Sequence, residues 1–196
     1  MTRFNSNVLL DELMTDIRKI LLCAGKLEHV DQHTLQKQPV PGKWSVAQVL
    51  EHMNFYSAFY LKAIEEKLHR HQTQPQQYFK PGWFGDYFTK MMKPTADNNI
   101  KSKMKTMKSA APPPDIDGKA ALSQFITDQH ALLNLLEISR SADLGKLRVP
   151  ISISKMIKLK LGDTFRFLIA HEQRHMLQIT NTLKIVSQAI ALPETH

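Results

Sequence analysis

The chain has 196 residues, 42% of them hydrophobic, and a formal net charge of +8. That length suits one domain, expected over residues 1–196, with enough chain to bury a substantial core, and the apolar fraction excludes a disordered polymer. No apolar run reaches the roughly 20 residues of a membrane span, and Met1-Thr2-Arg3-Phe4-Asn5 lacks the charged start and apolar stretch of a secretion signal, so a cytoplasmic, membrane-free protein is expected.

The positive charge raises the possibility of nucleic-acid binding, since basic faces attract phosphate by counterion release. The charge is dispersed, however. Its densest cluster, Lys101, Lys103, Lys105 and Lys108, contains no aromatic residue on which bases would stack. It reads as a solvated loop, and no specific nucleic-acid partner is expected. Cys23 is the only cysteine, so no internal disulfide forms. Set among Leu21, Leu22 and Ala24, it is expected to be a small core residue, because a reactive thiol needs an exposed, electropositive setting.

Along the chain, Val8, Leu9, Leu13, Ile17, Ile20, Leu21, Ala24 and Leu27 recur at three- and four-residue steps, which predicts an amphipathic helix from about Asn7 to Val30. Pro39, Pro41 and Gly42 then break the chain. Ser45 followed by Gln48 is a capping-box pattern, so a second helix should start there and run to about His69. The stretch from Gln72 to Asp117 holds six prolines and the lysine cluster. It predicts an extended connection wrapped over the bundle, with one short helix at about Trp83 to Met92 whose aromatic residues share a side. A third long helix is expected from near Asp117 to about Ser139. The segment Lys146 to Leu161 alternates like a strand, but Pro150 weighs against a central one, so it reads as an irregular loop. Gly162 and Asp163 open the last helix, which should end near Ile190, before Pro193. Long helices joined by one long crossover predict an all-α protein, a four-helix bundle with its irregular connection between the second and third helices.

The last helix contains His171-Glu172-Gln173-Arg174-His175. Two histidines four apart project from one helical face and can meet on one ion. His29 and His33 repeat that spacing, but Glu28, Asp31 and Gln32 around them are polar, so this pair is expected at the surface. By contrast, His171 and His175 share a face with Thr164, Leu168 and Ile179, and His52 lies in line with Val49, Tyr56 and Phe59. Three separate interior imidazoles would each need a partner, and one shared cation serves all three. His52, His171 and His175 are therefore the candidate ligands of one divalent metal ion, with coordination positions left open as in catalytic rather than structural zinc sites. Imidazole ligation also suits nickel, iron and copper.

The same pentapeptide matches the H-E-x-x-H signature of zinc proteases, in which the glutamate is the general base. The extended pattern fails at Gln178 and Asn181, and the only acidic side chain after His175 is Glu194, beyond Pro193. No sheet edge is foreseen to align a peptide. A protease is thus disfavoured, and Glu172 is expected to face solvent.

Two segments carry a family resemblance. Pro41-Gly42-Lys43-Trp44-Ser45-Val46-Ala47-Gln48-Val49-Leu50-Glu51-His52-Met53 resembles the opening of the second helix in DinB-like proteins, where a tryptophan and a hydroxyl cap precede a metal histidine. Phe167-Leu168-Ile169-Ala170-His171-Glu172-Gln173-Arg174-His175-Met176-Leu177-Gln178 resembles their last-helix motif, which supplies two more. The resemblance implies an up-down-down-up bundle, commonly a homodimer, with a three-histidine nickel or zinc site. It also implies thiol-dependent chemistry on a small-molecule substrate, since characterised members include S-transferases and a maleylpyruvate isomerase that use a low-molecular-weight thiol. The long connection from Gln72 to Asp117 departs from the family pattern and is placed to reshape the site mouth. Two functions follow: a metal-dependent transferase or hydrolase, and a non-catalytic helical module that binds a ligand or partner. An accessible pocket over the histidines favours the first and a sealed trio the second.

Overall fold

The computed structural model describes residues 3–70, 72–97, 99–100 and 106–191. Lys101, Lys103 and Lys105 of the basic cluster, and Pro193 and Glu194 of the tail, lie outside them. The chain opens with a two-residue strand β1 (Phe4–Asn5), followed by α1 (Ser6–Leu27), whose first amides are capped by the Asn5 side chain. A short helix α2 (Gln32–Gln36), capped by Asp31, splits the connection to α3 (Val46–Arg70). The turn before α3 uses Gly42 at a φ of 78°, a left-handed conformation that suits glycine. Strand β2 (Tyr78–Phe79), helix α4 (Trp83–Met92) and a 3₁₀ turn (Lys108–Ala110) punctuate the long connection to α5 (Gly118–Ile138). Strands β3 (Arg148–Ile151) and β4 (Ser154–Lys160) then lead directly into α6 (Leu161–Ala191).

Contacts near the helix ends fix the direction of each long helix. Lys119 at the start of α5 donates to the Glu28 carbonyl just past the end of α1, at 2.6 Å, and Arg140 after the end of α5 pairs with Asp11 early in α1. These two helices are antiparallel. The starts of α3 and α5 lie together, because Asn54 donates to the Ala121 carbonyl at 3.0 Å and Gln48 to the Pro113 carbonyl at 3.1 Å. The Arg166 guanidinium near the start of α6 lies 4.8 Å from the ring of Phe4, which immediately precedes the start of α1. The order is up-down-down-up, and the parallel middle pair explains the long crossover: the chain must return the length of the bundle between α3 and α5. Ile17, Leu50, Ile64, Phe125, Leu136 and Phe165 are fully buried between the helices, each worth about 1.5–3 kcal/mol in apolar burial.

Two expectations are corrected here, and a third is sharpened. Residues 148–160 form an antiparallel hairpin rather than an irregular loop. In a two-stranded ladder both strands are edges, and the register shifts between Pro150 and Ile151, so the missing proline amide does little harm. Cys23 is exposed, not core: Ile20, Ala24 and Leu27 form the inward stripe of α1, which turns Leu22 and Cys23 outward. On α4 the aromatic side is the outer one, with Trp83, Phe84 and Tyr87 all more than half exposed. The inner side is Gly85, Thr89 and Met92. A Cβ on Gly85 would come within 2.3 Å of the Asp163 side chain, so α4 lies on α6 too closely for anything but glycine there.

Candidate metal centre

The centre begins with the cap of α3. The Ser45 hydroxyl accepts from the Gln48 amide at 3.2 Å, and the Gln48 side-chain oxygen accepts from the Ser45 amide at 3.0 Å. Both halves of the predicted capping box are made. The helix start is thereby fixed, with Val46, Ala47, Val49 and Leu50 fully buried behind it. Two turns on, His52 projects toward α6, and the Trp44 ring lies 4.9 Å from its ring. On α6, His171 and His175 are four residues apart and face back toward it.

All three histidines are buried. Ring centroids are separated by 4.5 Å for His171 and His175, 4.7 Å for His52 and His175, and 5.4 Å for His52 and His171. One nitrogen from each ring falls within 4.8 Å of the others. The Nε2 atoms of His171 and His175 approach to 3.1 Å.

Outer hydrogen bonds set the tautomers. His52 Nδ1 lies 2.9 Å from the Ala110 carbonyl oxygen, which can only accept, so Nδ1 holds the proton and Nε2 keeps its lone pair. His175 Nδ1 lies 3.0 Å from the Gln178 side-chain oxygen, with the same consequence. Burial pushes the basicity of all three rings down. For His171 the shift is large, and repulsion from His175, His52 and Arg174 adds to it. His175 is lowered to about 3, by burial first and then by His52. His52 is lowered by burial against the opposing bond from Ala110. Three buried imidazoles that resist protonation, two of them with inward lone pairs and anchored outer nitrogens, match the donor set of a transition-metal site.

The rings lie on an open cavity of about 490 Å³, a size suited to a small molecule. Tyr56 forms part of its wall, with ring centroids 5.0 Å from His52 and 4.9 Å from His171. Met92, Ile100 and Thr106 of the long connection also line it. That connection thus shapes the mouth and, through Ala110, orients His52. Nothing in the spacing of its residues marked Ala110 for this role, since a backbone carbonyl leaves no trace in residue type. His29 and His33 are both exposed, and neither joins the cluster.

Glu172 corrects the last expectation. It is 1% exposed and accepts from the Gln129 side chain on α5 at 3.0 Å. Burial raises its pKa to about 8, with nearby Asp128 adding to the effect. It is therefore neutral at pH 7 and directed to α5, the wrong charge state and the wrong direction for the base of a protease. The other carboxylate oxygen has no partner among the described residues, nor has the Gln129 side-chain oxygen. A proton on Glu172 removes the charge from a buried carboxyl group whose second oxygen has no partner among the described residues.

A helical bundle with three inward histidines contributed by two of its helices is a recognisable class of protein. The family model of the DinB superfamily matches residues 24–179, and the chain belongs to that superfamily. Among solved structures it is similar to YfiT from Bacillus subtilis, described as a probable metal-dependent hydrolase with an unusual four-helix bundle topology. That likeness has a TM-score of 0.55 at 13% identity and covers 93% of this chain and 87% of that one. At such identity it is a likeness of fold. No curated protein matches the chain significantly in sequence.

Proposed function

We propose that the protein is a metal-dependent enzyme acting on small molecules, with one zinc or nickel ion held by His52, His171 and His175. The observation that carries this reading is the convergence of three neutral imidazoles, with outer nitrogens anchored at Ala110 and Gln178, on a pocket open to solvent. A sealed trio would have favoured a non-catalytic module. When bound, such an ion supplies Lewis-acid chemistry, drawing the pKa of a water or thiol at its open positions toward neutrality. The chain's own residues do the rest. His52 and His175 are held with their lone pairs inward, Tyr56 and Trp44 wall the ring cluster, and the long connection limits access to molecules that fit the cavity.

The finer reading is transfer of a low-molecular-weight thiol to an electrophilic acceptor, with hydrolysis as the related alternative. The first rests on the family resemblance, and the second on the description of YfiT. Elemental analysis of untagged protein should find about one transition-metal ion per chain at neutral pH. The metal-loaded protein is then assayed with thiols and electrophiles, and separately with ester and amide substrates. Metal-dependent loss of thiol supports transfer, and acid release without thiol consumption supports hydrolysis. A protein that takes up no transition metal at neutral pH sinks both.

A further inference from the structure

The pocket over the histidines has a one-sided charge. Arg174 and Lys43 both line it, and among the described residues lining it there is no aspartate or glutamate. Arg174 is 8% exposed and sits three residues after His171, on the adjoining side of the same helical face. A buried guanidinium is costly unless hydrogen-bonded, yet its five N–H donors allow it to hold a protein partner and a ligand together. Lys43 is exposed at the rim. Beyond the histidines, Trp44, Tyr56, Met92 and Ile100 give the wall an aromatic and apolar part, and Thr106 and Gln178 add uncharged polar groups. A divalent ion on three neutral imidazoles would add two further positive charges, and low-dielectric walls concentrate such a field.

We infer that this pocket selects small molecules with an apolar body and an anionic oxygen group, carboxylate or phosphate, the oxygens taken by Arg174 and Lys43 and the body lying against Trp44 and Tyr56. This deepens the proposed metal-enzyme reading and rests on it for the chemistry, though not for the binding. Arginine matches the two oxygens of a carboxylate or phosphate with paired N–H groups. Lys43 at the entrance draws the anion in, and the rings receive the part of the molecule that water solvates poorly.

The test uses metal-loaded, untagged protein titrated calorimetrically with benzoate, phenyl phosphate and the neutral benzamide, with metal content measured on each sample. At least one of the two anions should bind about tenfold or more tightly than benzamide, the scale of one charge-assisted contact. The tighter anion identifies which oxygen group the pocket is built for. Arg174→Gln should lose the preference while keeping its metal, and Arg174→Lys should keep part of it, since the charge remains but the planar fork does not. Equal binding of charged and neutral probes, no binding of any probe in the millimolar range, or an unchanged preference in Arg174→Gln overturns the inference. Should Arg174→Gln fail to fold, Lys43→Gln at the exposed rim and the wild-type comparison of charged and neutral probes still decide it. Anion preference in a protein that takes up no metal overturns the metal-enzyme reading and leaves the anion site standing. One ion per chain with no anion preference does the reverse.

Discussion

His29 with His33 and His171 with His175 have the same four-residue spacing, and the two regions share nothing else. The second pair lies within one continuous helix, where four residues are about one turn, so both rings point the same way. The first pair is interrupted. α1 ends at Leu27, His29 lies in the turn beyond it, and Asp31 caps a new helix that contains His33. Both rings are exposed, whereas Leu168 to Glu172 and Arg174 to Met176 are all buried around the second pair. Ligand spacing has chemical meaning only when one helix runs through it and when packing removes the competing water.

The largest effects should come from breaking the buried pair. His171→Ala should abolish metal uptake, and His52→Ala should weaken it severely although His52 lies on a different helix. Elemental analysis after dialysis checks both. Gln178→Ala leaves all three candidate ligands but frees the His175 ring, so its loss should be smaller, about 10–100-fold in affinity. Full metal content in His171→Ala would remove that residue from the centre. Acid should release the metal, since protons compete for the same lone pairs. In the metal-free protein the three imidazoles lie below their ordinary range when folded. As pH falls below about 6.5, the unfolded chain takes up protons that the folded one resists, so stability should fall with acid.

Glu172 pulls the other way. Its pKa is raised from an ordinary 4.5 to about 8, so between those values the folded protein holds a proton that the unfolded chain has lost. Stability should therefore decline as pH rises through that window, by up to about 1.4 kcal/mol per pH unit for the one proton. Glu172→Gln should flatten this decline while leaving metal content unchanged, as followed by denaturant unfolding at several pH values. A steep pH dependence that survives in the variant would assign the proton elsewhere. Were Glu172 a protease base, the same variant would instead leave the stability profile alone and remove peptide cleavage.

The contrast between the histidine pairs also marks how far the sequence could be read. The long helices were legible because Leu9, Leu13, Ile17 and Ile20, and their counterparts elsewhere, repeat at helical spacing, and the start of α3 because Ser45 and Gln48 are specific to a cap. The three histidines were legible because each sits in line with apolar residues. Glu172 was misread because a carboxylate between two ligands is by default placed in water. The signal against that was present in Leu168, Ile169, Ala170 and Met176, which put apolar residues around more than one side of α6 and so mark a helix buried beyond a single stripe. Short pairings such as Phe4 with Phe79 carry no periodicity to detect, and the outward turn of Trp83, Phe84 and Tyr87 depends on Gly85 meeting Asp163, a tertiary contact.

Smaller effects should follow at the start of α3. Ser45→Ala removes the acceptor for the Gln48 amide and should reduce stability by about 1 kcal/mol, read from the denaturant midpoint. Gln48→Ala should cost more, because that side chain also donates to the Pro113 carbonyl and ties the long connection to the helix start. If Gln48→Ala proves the milder of the two, the link to the connection contributes little and the cap alone orients His52.

The smallest effect tests the surface pair. Replacing both His29 and His33 with glutamine changes two exposed side chains on a turn and a short helix. Neither ring appears among the hydrogen bonds that hold this corner together among the described residues, which run instead from the Thr34 amide to the Asp31 carboxylate, from Gln36 to the Ile116 carbonyl and from Lys119 to the Glu28 carbonyl. Those bonds survive the substitution, so stability should change by no more than about 0.5 kcal/mol, the range of ordinary surface changes. Metal content should also stay at the wild-type value, because two exposed imidazoles separated by a helix cap cannot replace three buried ones. Loss of metal in this double variant, together with retention in His52→Ala, would reverse the assignment of the two pairs. It would mean that spacing near the surface outweighs burial and tautomer control in choosing where this protein would hold an ion.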